Sequence, residues 1–271
     1  MLSGVIIKEK ISLVCVVFCL SDWDSAQYLK FKNQRTQPAS DLAARLSGRS
    51  PKTIVDIGCG PGNSTDVLKG FFPNADISGI DNSPDMIARA ESEHPELRFR
   101  LCGALELEGK YDLLFSNACL QWITDHYTLI PALMEKLNRG GVLAVQIPMN
   151  GDEPLFRLIK ETAQEPYWGF EGIAPAVNET LAPAEYYDIL SNCSSAFDVW
   201  EIKYCHPLAD HNALLEWVRS TRLRPYLDFL GEERGAEFEA EILEKAKKIY
   251  PVRKNGNVLL GFRRFFFTAE K

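Results

Sequence analysis

The segment Asp56-Ile-Gly58-Cys59-Gly60-Pro-Gly62-Asn63-Ser64 concentrates the residues with an evident chemical use. Three glycines at alternate positions leave a loop without obstructing side chains, so a ligand can approach the backbone N–H groups closely. A β-branched run, Lys52-Thr-Ile-Val-Asp-Ile57, leads into this loop, and a helical pattern from Ser64 to Phe72 leaves it. Strand, glycine loop and helix in that order form a nucleotide-binding turn. The spacing is G-x-G-x-G, whereas a dinucleotide fingerprint would need a glycine where Asn63 stands. Asp81 ends the next β-branched run nineteen residues past Gly62, where a carboxylate can accept hydrogen bonds from ribose hydroxyls. Asp56 puts a negative charge ahead of the glycines, which suits a ligand carrying cationic groups better than a pyrophosphate.

The elements that position these residues alternate. Strands are expected at 52–57, 76–81, 97–102, 111–116 and 142–147. Helices fall between them at 64–72 (capped by Asn63 or Ser64), after Ser83-Pro84, and at 127–137, closed by Asn138-Arg-Gly-Gly141. Such alternation implies a doubly wound α/β parallel sheet with helices on both faces. Ser21 to Ser47 reads as helix broken at Pro38. Beyond Pro148 the alternation loosens. Helices are expected at 154–165, 183–190, 211–221 and 231–250, with strands at 197–206 and 258–268, giving a mostly helical C-terminal cap over the substrate edge of the sheet. Asn117-Ala118-Cys-Leu-Gln121-Trp122 follows the fourth strand, whose carboxyl end borders the ligand crevice of a doubly wound sheet.

The run D-x-G-C-G-x-G resembles motif I of the S-adenosylmethionine-dependent methyltransferases. That resemblance makes S-adenosylmethionine the expected cofactor and a Rossmann-like methyltransferase sheet the expected fold. It also implies that Gly58, Gly60 and Gly62, with Asp56, Cys59, Asn63 and Ser64, line the methionyl part. Asp81 then binds the ribose, Asn82 and Met86 lie near the adenine, and Asn117, Ala118, Gln121 and Trp122 border the donor. The family commonly carries an acidic residue after the third strand to hold the adenine amino group. Here Cys102-Gly103-Ala104 stands in that place, so the contact is expected from the backbone at Gly103 and Ala104 or not at all.

Further segments narrow the resemblance. Ser21-Asp-Trp-Asp-Ser-Ala-Gln-Tyr28-Leu-Lys-Phe31, Asp125-His-Tyr127, Gly141 to Pro148, Glu216-Trp-Val, Leu223-Arg-Pro-Tyr226 and Asn255-Gly256 are similar to the trans-aconitate 2-methyltransferase family. The likeness runs from about Ser21 to the C-terminus. It implies methyl transfer to one carboxylate of trans-aconitate, giving a monomethyl ester. Alternatives are another small carboxylic acid or a malonyl-type thioester as acceptor, and, in another class, a protein that binds the cofactor without turnover. A carboxylate is already deprotonated at neutral pH and needs no general base; a hydroxyl acceptor would want one, for which His126 or His206 is available. A tricarboxylate calls for cationic and hydroxyl partners, ideally bidentate arginines. The candidates are Arg35, Arg222, Arg224 and Arg264, with Tyr28, Tyr226, His206 and Trp122. Relatives often have glycine where Arg222 stands.

Bulk composition fits this picture. Thirty Lys and Arg against thirty-seven Asp and Glu leave a net charge of −7, which disfavours nucleic acid but permits a small anionic metabolite in a locally cationic pocket. Seven cysteines without a C-x-x-C pair point to reduced thiols in a cytoplasmic protein. No histidine and acid grouping shows metal-ligand spacing, so no metal is expected. Residues 1–20 contain a short apolar run without a cleavage signal and are expected to be an extension; the run is too short to span a membrane. The expected division is 1–20 extension, 21–150 cofactor domain with N-terminal helices, and 151–271 cap helices with the terminal strands. The sequence sets no oligomeric state.

Overall fold

The computed structural model describes residues 32–171 and 180–271, without the side chains of 32–35 and 220. Seven strands form one sheet: β1 (Thr53–Ile57), β2 (Asp76–Asp81), β3 (Arg98–Leu101), β4 (Tyr111–Asn117), β5 (Leu137–Pro148), β6 (Ala196–Leu208) and β7 (Val258–Glu270). Their order across the sheet is β3-β2-β1-β4-β5-β7-β6. The first five run parallel, and β7 inserts antiparallel between β5 and β6. The strand order reverses between β1 and β4, which opens the crevice at their carboxyl ends.

Helices cover both faces because both faces of the inner strands are apolar. On one side α1 (Lys32–Arg45) and α2 (Asn63–Phe71) pack Ala39, Leu42 and Leu68, with Leu46 from the turn after α1, against Ile54, Leu113, Phe115, Ala144 and Phe266. On the other, α4 (His126–Glu135) and α6 (Pro183–Cys193) cover Val55, Leu114, Val145, Phe265 and Phe267. Between them in sequence, α3 (Pro84–Glu93) follows β2, and the Ser83 side chain accepts from Met86 N at 3.4 Å with Pro84 in the first turn. A separate apolar core joins α5 (Pro154–Ala163), α7 (His211–Val218) and α8 (Arg224–Ile249) to the amino end of β7 through Trp168, Trp217, Tyr226, Phe238 and Phe262. This cap sits at the carboxyl edge of β5, the edge on which the glycine loop opens. Among the described residues, no helix is long and apolar enough to cross a membrane.

Several elements differ from expectation. Helix α1 runs through Pro38; burial of Ala39, Leu42 and Ala43 outweighs the hydrogen bond that the proline removes. Neither Asn63 nor Ser64 caps α2. Gly62 does, at φ 93°, while the Ser64 hydroxyl turns inward. Asn138-Arg-Gly-Gly141 lies within β5, since Tyr111 and Leu137 pair and Lys271 N donates to Gly141 O at 3.0 Å. The last long helix starts at Arg224, with Gly231 (φ 75°, ψ −179°) as a break inside it. Before it, Arg219–Leu223 form a π turn.

Candidate active site

The glycine loop is fixed from two sides. Gly58 N and Cys59 N donate to Ile80 O at 2.8 and 3.0 Å, and Gly60 N donates to Asp81 Oδ2 at 3.0 Å. The other Asp81 oxygen accepts from Ser83 N at 2.9 Å, so one carboxylate ties the loop to the start of α3. Gly58, Gly60 and Gly62 all have positive φ (70°, 54° and 93°), a region where a side chain is strained. They differ in surroundings. A Cβ on Gly58 would stand 2.1 Å from Cys119 Sγ, whereas a Cβ on Gly60 would meet no atom within 4 Å. Gly60 therefore borders open space.

Asp56 is fully buried beneath the loop. Its Oδ2 accepts from the Ser64 and Thr65 hydroxyls at 2.6 and 2.7 Å, while its Oδ1 has no partner. Burial pushes its pKa up to about 6, against the opposing pull of those two hydroxyls. Thr65 was invisible as a site residue because its hydroxyl acts only after α2 turns back over β1. Burial also drives the neighbouring thiols upward, Cys119 to about 12, so neither it nor Cys59 is a thiolate at neutral pH.

After β4 the chain makes a strained turn. Ala118 has φ 55°, and its N–H donates to Gln146 O at 3.0 Å. Gln121 Nε2 holds the turn by donating to Ala118 O at 2.7 Å, and Trp122 emerges half-exposed. His126, a candidate base by sequence, is committed elsewhere. It lies buried, with Nε2 on Leu120 O at 2.8 Å and Nδ1 on the Tyr186 hydroxyl. Met86 is buried at the start of α3, and Asn82 is exposed beside it. After β3, Gly103 N donates to Glu106 Oε2 at 3.0 Å. A carboxylate is thus returned to the Cys102-Gly103-Ala104 turn from three residues on, a placement that sequence position alone did not suggest.

The substrate candidates separate into two groups. Asn117 and Gln146 are register neighbours on β4 and β5, and the fully buried Gln146 accepts from Arg264 Nη1 at 3.3 Å. The Arg264 guanidinium lies 4.6 Å from the Phe262 ring centroid. His206 is buried nearby, stacked on Trp217 at 4.6 Å, and desolvation and then Arg264 lower its pKa to about 4. On the cap, Arg222 lies 5.5 Å from the Phe156 ring centroid, and burial lowers its pKa. Tyr226 stacks on Phe238 within the cap core, near enough to Arg222 for each to act on the other's charge. Arg224 reaches along its own helix to Asp228 at 3.6 Å. The Arg35 side chain and Tyr28 lie outside the described residues. Gln146 went unnoticed in the sequence, although a glutamine inside Val-Leu-Ala-Val-Gln-Ile, a run buried on both faces, was the available signal.

Buried atoms lacking partners gather in two places. Around the glycine loop and the β4 turn they include four oxygen acceptors, Asp56 Oδ1, Asn63 Oδ1, Asn117 Oδ1 and Gln121 Oε1, beside His94 Nε2 against Gly62. At the β5–β7 edge and cap they are nitrogens: Gln146 Nε2, Asn150 Nδ2, His206 Nε2 and Arg222 Nε. Unsatisfied buried polar atoms cost stability and mark places where a ligand supplies the partner. The first set fits a ligand with an ammonium donor, as the amino-acid part of S-adenosylmethionine has; the second fits an anion.

Fold and site together define a Rossmann-like methyltransferase. A family model described as a methyltransferase domain matches residues 31–185. Among solved structures, the YcgJ protein of Bacillus subtilis superposes with a TM-score of 0.58 at 15% identity, over 87% of this chain and 98% of that one, a likeness of fold. The trans-aconitate 2-methyltransferase of Methylobacterium nodulans is 44% identical over 93% of this chain and 99% of its own length. That of Methylobacterium radiotolerans is 42% identical over the same shares. The chain belongs to the trans-aconitate 2-methyltransferase family.

Proposed function

We propose that the protein transfers a methyl group from S-adenosylmethionine to a carboxylate of trans-aconitate, leaving S-adenosylhomocysteine and a monomethyl ester. The observation that carries this reading is the group of buried unpaired oxygens, Asp56 Oδ1, Asn63 Oδ1 and Asn117 Oδ1, at the glycine loop and β4, one strand from the unpaired Gln146 Nε2 beside Arg264. When bound, the cofactor supplies a methyl group activated on a sulfonium. Asp56, Asn63 and Asn117 accept from its ammonium end, Asp81 from its ribose, and Glu106 from its adenine amino group. Gly60 leaves room for the chain of atoms between them.

Gln146, His206 and Arg264 then hold a carboxylate of the acceptor, one strand away from Asn117. Arg264 supplies the charge, and its contact with Gln146 fixes the direction in which the guanidinium points. No side chain has to remove a proton from an ionised carboxylate. Orientation and exclusion of water therefore carry the rate, and positioning of this kind reaches effective molarities of ~10⁵ M. A hydroxyl acceptor fits less well, because both nitrogens of His126 are engaged and His206 is a weak base. The free cysteines at 59, 102, 119, 193 and 205 suit a reducing cytoplasm.

Steady-state kinetics of Arg264→Gln and Arg264→Lys test the acceptor site. Loss of a charge-assisted contact should raise the KM for the acid about tenfold to a hundredfold in R264Q and less in R264K. The cofactor Kd should stay within about twofold. Equal losses in both constants, or no change in KM, would remove Arg264 from the site.

A further inference from the structure

Arginines on the cap mostly have structural work. Arg219 is held by Glu239 through Nε at 2.7 Å, and Arg234 donates to Tyr167 O at 2.7 Å. Arg222 differs. It sits in the π turn, an irregularity that often accompanies ligand sites. Its Nε is buried without a partner, and no carboxylate among the described residues lies within ion-pair distance of it. Burial lowers its pKa, and among the described residues the only group near enough to act on its charge is the Tyr226 phenol, so no carboxylate there offsets the desolvation.

Its position relative to Arg264 gives that cation a use. Arg222 lies over Phe156; Phe156 meets Phe262 edge-on, with centroids 6.1 Å apart; Phe262 lies under Arg264. Phe156 belongs to the first turn of α5, just past the carboxyl end of β5, and Phe262 to the amino end of β7, which runs alongside it. Two guanidinium groups thus flank one aromatic step on the edge of the sheet that faces the glycine loop. An acid with carboxylates at separate points can engage both, while an acid lacking one leaves a desolvated guanidinium unpaired. Such an unpaired buried donor discriminates strongly between ligands.

We propose that Arg222 is a specificity residue that binds a second, non-reacting carboxylate of the acceptor, so that the enzyme selects a tricarboxylate over dicarboxylates of the same skeleton. This rests on the carboxylate-methylation reading above. The test compares trans-aconitate with itaconate, mesaconate and glutaconate, each lacking a different carboxylate, using the full-length wild type, Arg222→Gln and Arg222→Lys. In the wild type, trans-aconitate should exceed the best dicarboxylate in kcat/KM by about tenfold or more. That advantage should fall about tenfold in R222Q through KM, with R222K between the two because lysine keeps the charge but not the fork.

An advantage that is the same in all three proteins would overturn the proposal, as would its absence from the wild type. Should R222Q fail to fold, the wild-type and R222K comparisons still decide. If the wild type methylates no acid at all, the methylation reading itself falls and this proposal with it, an outcome distinct from turnover without discrimination.

Discussion

Asp56 carries a balance that a sequence motif does not express. A carboxyl group buried with one oxygen on two hydroxyls and the other unpaired prefers its proton, and its pKa rises to about 6 from 3.8. A raised carboxyl pKa contributes stability fully below pH 3.8, and that contribution is lost as the pH climbs through 6. At pH 7 the cofactor-free protein therefore carries a cost of about 3 kcal/mol at this residue. An ammonium group seated on Oδ1 would reverse the preference, so cofactor binding should release a proton near pH 6 and tighten between pH 5 and 7. Calorimetry in buffers of different ionisation enthalpy measures that proton directly. Asp56→Asn should abolish the release and flatten the pH dependence of the cofactor-free Tm; a release unchanged in the variant would assign the proton to another group. Asp81 acts differently, since both of its oxygens already accept backbone N–H groups, and its removal would loosen the loop as well as the proposed ribose contact.

The glycine loop shows how one motif divides into structural and ligand-facing positions. Gly58→Ala would drive a methyl group into Cys119, which needs movement of the segment after β4. Gly60→Ala meets no protein atom and incurs only the left-handed strain, about 1–2 kcal/mol, equivalent to several degrees in Tm. Thermal melts and cofactor titrations should then separate the two: G58A loses much more stability, whereas G60A stays folded and loses cofactor affinity. A G60A protein with wild-type affinity would contradict the placement of the ligand beside Gly60. Strand and helix order was legible because β-branched runs, Ser83-Pro84 and the glycines act locally. The path at Asn138–Gly141 was not, because a Gly-rich helix ending and a strand start look alike until Lys271 and Tyr111 pair with the segment. Pro38 misled for the same kind of reason: the apolar contacts that hold α1 through it come from β1, β4 and β5.

Across the whole molecule, the proposed cofactor and acceptor sites share one sheet edge and are of opposite sign. Asp56, Asn117, Gln146 and Arg264 occupy successive strands β1, β4, β5 and β7, so the charge requirement changes from acceptor to donor across that edge. Residues for the cofactor half could be nominated in advance, since they lie in four short segments, 56–64, 81–86, 103–104 and 117–122. The acceptor half was only partly legible. Among the arginines the sequence favoured Arg224, within Leu223-Arg-Pro-Tyr226, over Arg264 and Arg222, and Gln146 was absent, because the meeting of Gln146 with Arg264 depends on β7 returning antiparallel beside β5 after a hundred intervening residues. Burial and partner type are what separate Arg222 from Arg219, and they exist only in the folded chain.

Whether this edge methylates a carboxylate is decided by product analysis with methyl-labelled S-adenosylmethionine. The protein is supplied with trans-aconitate, cis-aconitate, isocitrate, citrate and a malonyl thioester in turn. Label incorporated chiefly into trans-aconitate, and released by mild base as an ester must be, is the predicted result. Base-stable label, or measurable cofactor binding with no transfer to any acid, would contradict it.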